Sequence, residues 1–148
     1  MPGPDLDLLL EAAEAAGRIA ARHFRGSYEI QDKGDGQGPV TEADLEIDRM
    51  LKAELLDARP DYGWLSEETE DDHARLNAKR VFIIDPIDGT RSFVAGQKTF
   101  AHSLAIAEDG VVTTAVVHLP MRELTYQAEV GQGARVNGQP MQQSGRTD

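Results

Sequence analysis

The sequence predicts an α+β fold, two N-terminal helices packed on one face of a largely antiparallel sheet. Three observations carry that prediction. Apolar residues recur at helical spacing as far as Leu55, short apolar runs then take over, and turn-forming residues separate those runs.

The first helix is expected from Leu6 to about Arg25, where Leu6, Leu9, Leu10, Ala13, Ala16, Ala20 and Phe24 share one stripe before Gly26 stops it. "YEIQDKGDGQGPV" then concentrates Gly and Asp around Lys33, a composition for a mobile loop or an open hairpin. Thr41 starts the second helix, with Leu45, Met50, Leu51 and Leu55 inward and Pro60 beyond its end. "YGWL" reads as a short strand, "SEETEDD" as an acidic loop and "RVFIID" as a buried strand. "AHSLAIA", "VVTTAVVHL", "LTYQAEV" and "ARV" follow as strands, and Asn137-Gly138 is a strong hairpin signal.

At 148 residues, with 40% hydrophobic and 28% charged side chains, the chain is expected to be one domain, 1–148, with a real core. A formal net charge of −11 argues against a non-specific grip on nucleic acid polymers or anionic membranes and makes cations the natural partners. The absence of cysteine excludes disulfides, zinc-thiolate sites and thiol catalysis. "MPGPDLDLLLEAAEAAGRIA" has neither a basic start nor a long apolar core, so no signal peptide or anchor is expected and the cytoplasm is the expected location.

The chemistry concentrates in "VFIIDPIDGT". Asp85 is expected at the end of a buried strand and Asp88 in the turn just after it, a turn that Pro86 would stiffen. A stiff pair of carboxylates suits Mg²⁺, with the Ile87 carbonyl as a third oxygen. Gly89-Thr90 can turn backbone N–H groups towards an anion, and a short helix over 91–95 would add its dipole. The plainer alternative is a strand ending in an Asp-Pro turn with a capping aspartate. In the acidic loop, Glu67 follows the "WL" strand and can complete a metal shell while its neighbours stay solvated. Thr41-x-x-Asp44 is a helix capping box, a role compatible with Asp44 activating a water. Lys33 is either a solvated side chain or a mobile cation over a phosphate. His23, His73, His102 and His118 have no ligand spacing and read as core or surface residues; "GQGARVNG" precedes no helix and reads as turn chemistry.

In this order and spacing, "PVTEAD", "SEE" and "DPIDGTRSF" resemble the inositol monophosphatase superfamily of Mg²⁺-dependent, typically lithium-sensitive phosphomonoesterases. The likeness runs from the first helix through "ARVNGQPM", and it implies the first half of a layered αβαβα sandwich. It implies that Glu67, Asp85 and the Ile87 carbonyl hold one Mg²⁺, and that Asp85 bridges to a second held also by Asp88, in a complete site of two or three ions inhibited by Li⁺. Asp44 and Thr90 match the pair that orients and deprotonates the attacking water, and Lys33, Asp88, Gly89 and Thr90 match the phosphate surroundings. The implied reaction is in-line attack of an activated water on phosphorus, with no phosphoenzyme.

The family's "WDxAAG"-like segment has no counterpart here, and the single tryptophan, Trp64, belongs to the early strand. The chain is therefore expected to be an N-terminal metal- and phosphate-binding domain without the C-terminal half. Either that half or a homodimer partner would cover the exposed sheet face. The expected substrate is a small phosphorylated metabolite: inositol monophosphate, a 3′(2′),5′-bisphosphonucleotide or histidinol phosphate. "DPIDGTRSF" in place of "DPIDGTTNF" leans towards the last two. A truncated, non-catalytic metal- or anion-binding module acting through assembly is the alternative.

Overall fold

A computed structural model describes residues 4–24, 30–32, 39–68 and 73–141. Helices α1 (Pro4–His23) and α2 (Glu42–Ala58) pack on one face of a seven-stranded sheet, as the sequence predicts. The strands run in spatial order β3 (Gly63–Ser66), β4 (Arg80–Asp88), β5 (Ala101–Glu108), β6 (Val111–Leu119), β7 (Leu124–Glu129), β8 (Gly133–Val136) and β9 (Gln139–Pro140). Among the described strands only the β3–β4 pair is parallel, so the C-terminal ends of these two strands lie at the same end of the sheet.

Two further strands, β1 (Ile30–Asp32) and β2 (Pro39–Thr41), pair antiparallel as a separate ribbon, as the hairpin alternative expects of its two arms. Lys33 and residues 69–72 of the acidic run lie outside the described residues.

The core follows from alternation on the strands and from the i, i+4 rows of the helices. Phe82 and Ile84 of β4, Leu104 and Ile106 of β5 and Val116 of β6 meet Leu9, Ala13, Ala16, Leu51 and Leu55 of the helices. The inward face of α2 differs from expectation. Ala43, Asp44, Ile47, Asp48, Leu51 and Leu55 are buried, whereas Leu45 and Met50 are half-buried at its flank. Two aspartates occupy the inward row because polar partners meet them there. On α1, Ala12 and Ile19 join the predicted stripe, while Leu10 and Phe24 sit at its edge.

The helices are antiparallel and linked at both ends. Asp5 at the start of α1 accepts from Arg59 Nε and from the Tyr62 hydroxyl, both at 2.8 Å. Glu46 of α2 accepts from Arg22 at 2.7 Å and pairs with His23 at 3.0 Å at the other end. The Asn137-Gly138 hairpin forms as predicted, with φ of 50° and 80°. Among the described residues no helix is long and apolar enough to cross a membrane.

Candidate active site

The parallel β3–β4 pair brings Ser66, Glu67 and the segment Asp85–Asp88 to one end of the sheet, and the first turn of α2 stands over them. Thr41 is the N-cap of α2 in extended conformation, and the capping box is complete. Asp44 Oδ2 accepts from the Thr41 amide at 3.0 Å and from its hydroxyl at 2.7 Å, while the Asp44 amide donates to Thr41 Oγ1 at 3.2 Å. Asp44 is fully buried, yet its other oxygen does not serve the cap. Oδ1 lies 3.0 Å from the hydroxyl of Thr90, which also stands 3.1 Å from the Ile87 carbonyl. Both neighbours only accept, so the one Thr90 proton goes to either, and a hydroxyl lone pair remains for a further donor such as water.

Strand β4 runs further than the sequence suggests. Asp88 is its last residue and pairs with Ala101 after a register shift, instead of lying in a turn beyond the strand. Pro86 therefore sits in a β-bulge, a place where its missing N–H is tolerated. Its carbonyl is 2.6 Å from Nδ1 of buried His102.

Gly89 follows at φ 93°, a left-handed conformation that an added Cβ would strain although the space beside it is open enough. Helix α3 (Thr90–Val94) starts one residue earlier than predicted and has only five residues. Its free first-turn amides remain donors for an anion, but so short a helix sums few peptide dipoles, which weakens the dipole argument.

Glu67 is exposed, and its amide donates to the Ile84 carbonyl at 3.2 Å, which fixes its backbone to β4 just before Asp85. Asp85 is half-buried, and its carboxyl is pushed up from the ordinary 3.8 to about 7. Burial is the main cause, followed by the negative charges of Asp88, Glu67, Asp44 and Glu68. Three other predicted site carboxylates, Asp88, Glu67 and Asp44, are thus near enough to act on Asp85. Among the described residues no three Asp, Glu or His side chains stand together as a ready-made metal cage. The donor set fits a hard divalent cation: every candidate ligand is oxygen, and the crowding at Asp85 is what such a charge relieves.

Sequence reading missed two contributors here. Ser66 Oγ donates to buried Asp48 in a short hydrogen bond and accepts from the Glu68 amide at 3.2 Å, so the pair brackets Glu67. The available signal was the spacing: Asp48 lies one helical turn beyond Asp44, on the same row as Leu51 and Leu55. His102 is the other: of the two places left open for it, core or surface, it takes the core, with a bond into the bulge that its isolated position in the sequence does not announce.

Helices on a mostly antiparallel sheet, with carboxylates and a carboxylate-paired hydroxyl at the strand ends, define an α+β protein with an acidic, oxygen-rich site. The chain belongs to the inositol monophosphatase family, a family of phosphatases whose model matches residues 4–148. It is 41% identical over 142 residues to a histidinol-phosphatase of Chlorobaculum parvum, covering 95% of this chain and 54% of that protein. It is 38% identical to an inositol-1-monophosphatase of Rhizobium meliloti, covering 89% of this chain and 50% of the relative. The solved inositol monophosphatase of Thermotoga maritima superposes with a TM-score of 0.87 at 35% identity, over 95% of this chain and 54% of that one. The chain spans about half the length of the curated relatives it matches.

Proposed function

We propose that this chain is the metal- and phosphate-binding half of a Mg²⁺-dependent phosphomonoesterase that hydrolyses a small phosphorylated metabolite. The observation that carries the reading is the Thr90 hydroxyl held between Asp44 Oδ1 and the Ile87 carbonyl, beside the crowded carboxyl of Asp85. Glu67, Asp85, the Ile87 carbonyl and Asp88 would hold the ions. Bound Mg²⁺ supplies Lewis acidity towards water and the leaving oxygen. Thr90 Oγ1 orients the attacking water through its free lone pair, and Asp44 Oδ1 takes up the proton that Thr90 passes on. Gly89 and Thr90 amides, with Lys33, would receive the phosphate.

Histidinol phosphate is the first substrate to test, since "DPIDGTRSF" and the name of the Chlorobaculum relative lean the same way; a 3′(2′),5′-bisphosphonucleotide and inositol monophosphate follow. The outward sheet face, where Ile83 and Tyr126 are 37% exposed, would be covered by the remaining half or by a second copy.

The test is phosphate release from these three substrates with Mg²⁺ and with chelator, using Asp88→Asn as control. Release that needs Mg²⁺ and is lost in Asp88→Asn supports the reading. Release indifferent to both chelator and mutation overturns it. Metal binding without turnover points to the alternative, a binding module without catalysis of its own.

A further inference from the structure

We infer that His102 is a positioning residue for the acidic site: its Nδ1–H holds the Pro86 carbonyl and thereby sets the bulge from which Asp85, the Ile87 carbonyl and Asp88 are presented. The inference rests on the proposed function above and adds a residue outside the predicted site.

The register shows what the bulge needs. Asp85 pairs with Ser103 and Asp88 with Ala101, so Pro86 and Ile87 together face the single residue His102. Two backbone carbonyls then stand where the ladder provides for one, and buried carbonyls require donors. The imidazole supplies one of them. A carbonyl can only accept, so at 2.6 Å from the Pro86 oxygen Nδ1 must carry the proton. The Ile87 carbonyl is left to the other side, where Thr90 Oγ1 meets it at 3.1 Å. The side chain of His102 thus sorts the two oxygens, one into the core and one towards Thr90.

The rest of the environment makes packing a poor explanation for the residue. His102 is fully buried, 6.2 Å from the Phe100 ring centre and 6.1 Å from that of His118. Its Nε2 has no hydrogen-bond partner among the described residues. An apolar side chain would fill such a place without leaving a polar atom unsatisfied, so the single bond to Pro86 is what the imidazole contributes. Burial also holds the ring neutral, with its pKa pushed down to about 4, so the Nδ1–H donor tautomer persists at physiological pH.

The test is a Mn²⁺ titration, Mn²⁺ standing in for Mg²⁺, of wild type, His102→Leu and His102→Asn, with circular dichroism as the check on folding. Asn can place an amide N–H where Nδ1 stood, and Leu cannot. His102→Leu should bind Mn²⁺ about tenfold more weakly, the scale of lost outer-shell support, while His102→Asn stays close to wild type. Equal binding by all three, or equal loss in the two folded variants, overturns the inference. Independently of any variant, long-range ¹H–¹⁵N correlation spectra of the wild type should show Nδ1 protonated and Nε2 bare. The opposite tautomer overturns the inference even if His102→Leu fails to fold. A wild type that binds no Mn²⁺ overturns the proposed function instead, and the spectra still decide the imidazole bond.

Discussion

The two ends of the sheet are built by different rules. At the β7–β9 edge the chain supports itself locally. Asn137 accepts from the Thr125 amide at 2.8 Å and donates to the Glu123 carbonyl at 3.1 Å, across separations of 12 and 14 residues within one exposed meander. At the β3–β4 end the decisive bonds join distant segments: Thr90 to Asp44 across 46 residues and Ser66 to Asp48 across 18, each holding a buried carboxylate. The edge is held by bonds between neighbouring turns of one continuous stretch of chain. The site exists only where helix and strand ends are brought together, and its acceptors are costly to leave unmatched in the core.

The difference breaks most sharply at Asp44. In a phosphate-release assay Asp44→Asn should lower turnover by about 10²–10⁴-fold, the usual contribution of general acid-base help. An unchanged rate would reduce Asp44 to a helix cap. The next largest effect concerns His102. Its folded pKa of about 4 lies below the ordinary 6.5, so the folded state binds fewer protons than the unfolded one between those values. Its contribution is present above pH 6.5 and lost as pH falls towards 4, an effect on the order of 3 kcal/mol. Wild type should lose stability relative to His102→Asn as pH falls through that window; parallel denaturation curves would mean that the ring is not held neutral.

Smaller effects separate the two regions further. Thr41→Ala removes a cap hydroxyl that also holds Asp44, and should cost about 1–2 kcal/mol by denaturant titration together with part of the activity. Asn137→Ala, by contrast, should cost about 1 kcal/mol and leave turnover intact, since its bonds tie the β8–β9 turn to the start of β7, away from the acidic site. Smallest of all, Val111→Thr at the exposed start of β6 should stay within about 0.5 kcal/mol of wild type. A large loss of stability there would mean that the β5–β6 turn is buried in solution.

Much of the fold was legible because its signals are local. The stripe from Leu6 to Ala20, the Thr41 cap and the Asn137-Gly138 turn depend on neighbours within a few residues, and each forms as read. The inward face of α2 was misread at Leu45 and Met50 because apolarity stood in for position. Asp44 and Asp48 take the inward row when Thr90 and Ser66 meet them, and nothing in α2 announces those partners.

By itself, then, the sequence determined that two helices lead into the sheet, that Thr41 caps the second of them, and that a buried strand runs into "DPIDGT". Only the tertiary structure decided that Asp88 ends the strand, that Pro86 occupies a bulge held by His102, and that Asp85 is crowded by carboxylates from three segments. The physical reason is range. Helical periodicity and turn dihedrals are set by atoms a few bonds apart, whereas burial, charge crowding and hydrogen-bond matching depend on which remote groups share the same few ångströms.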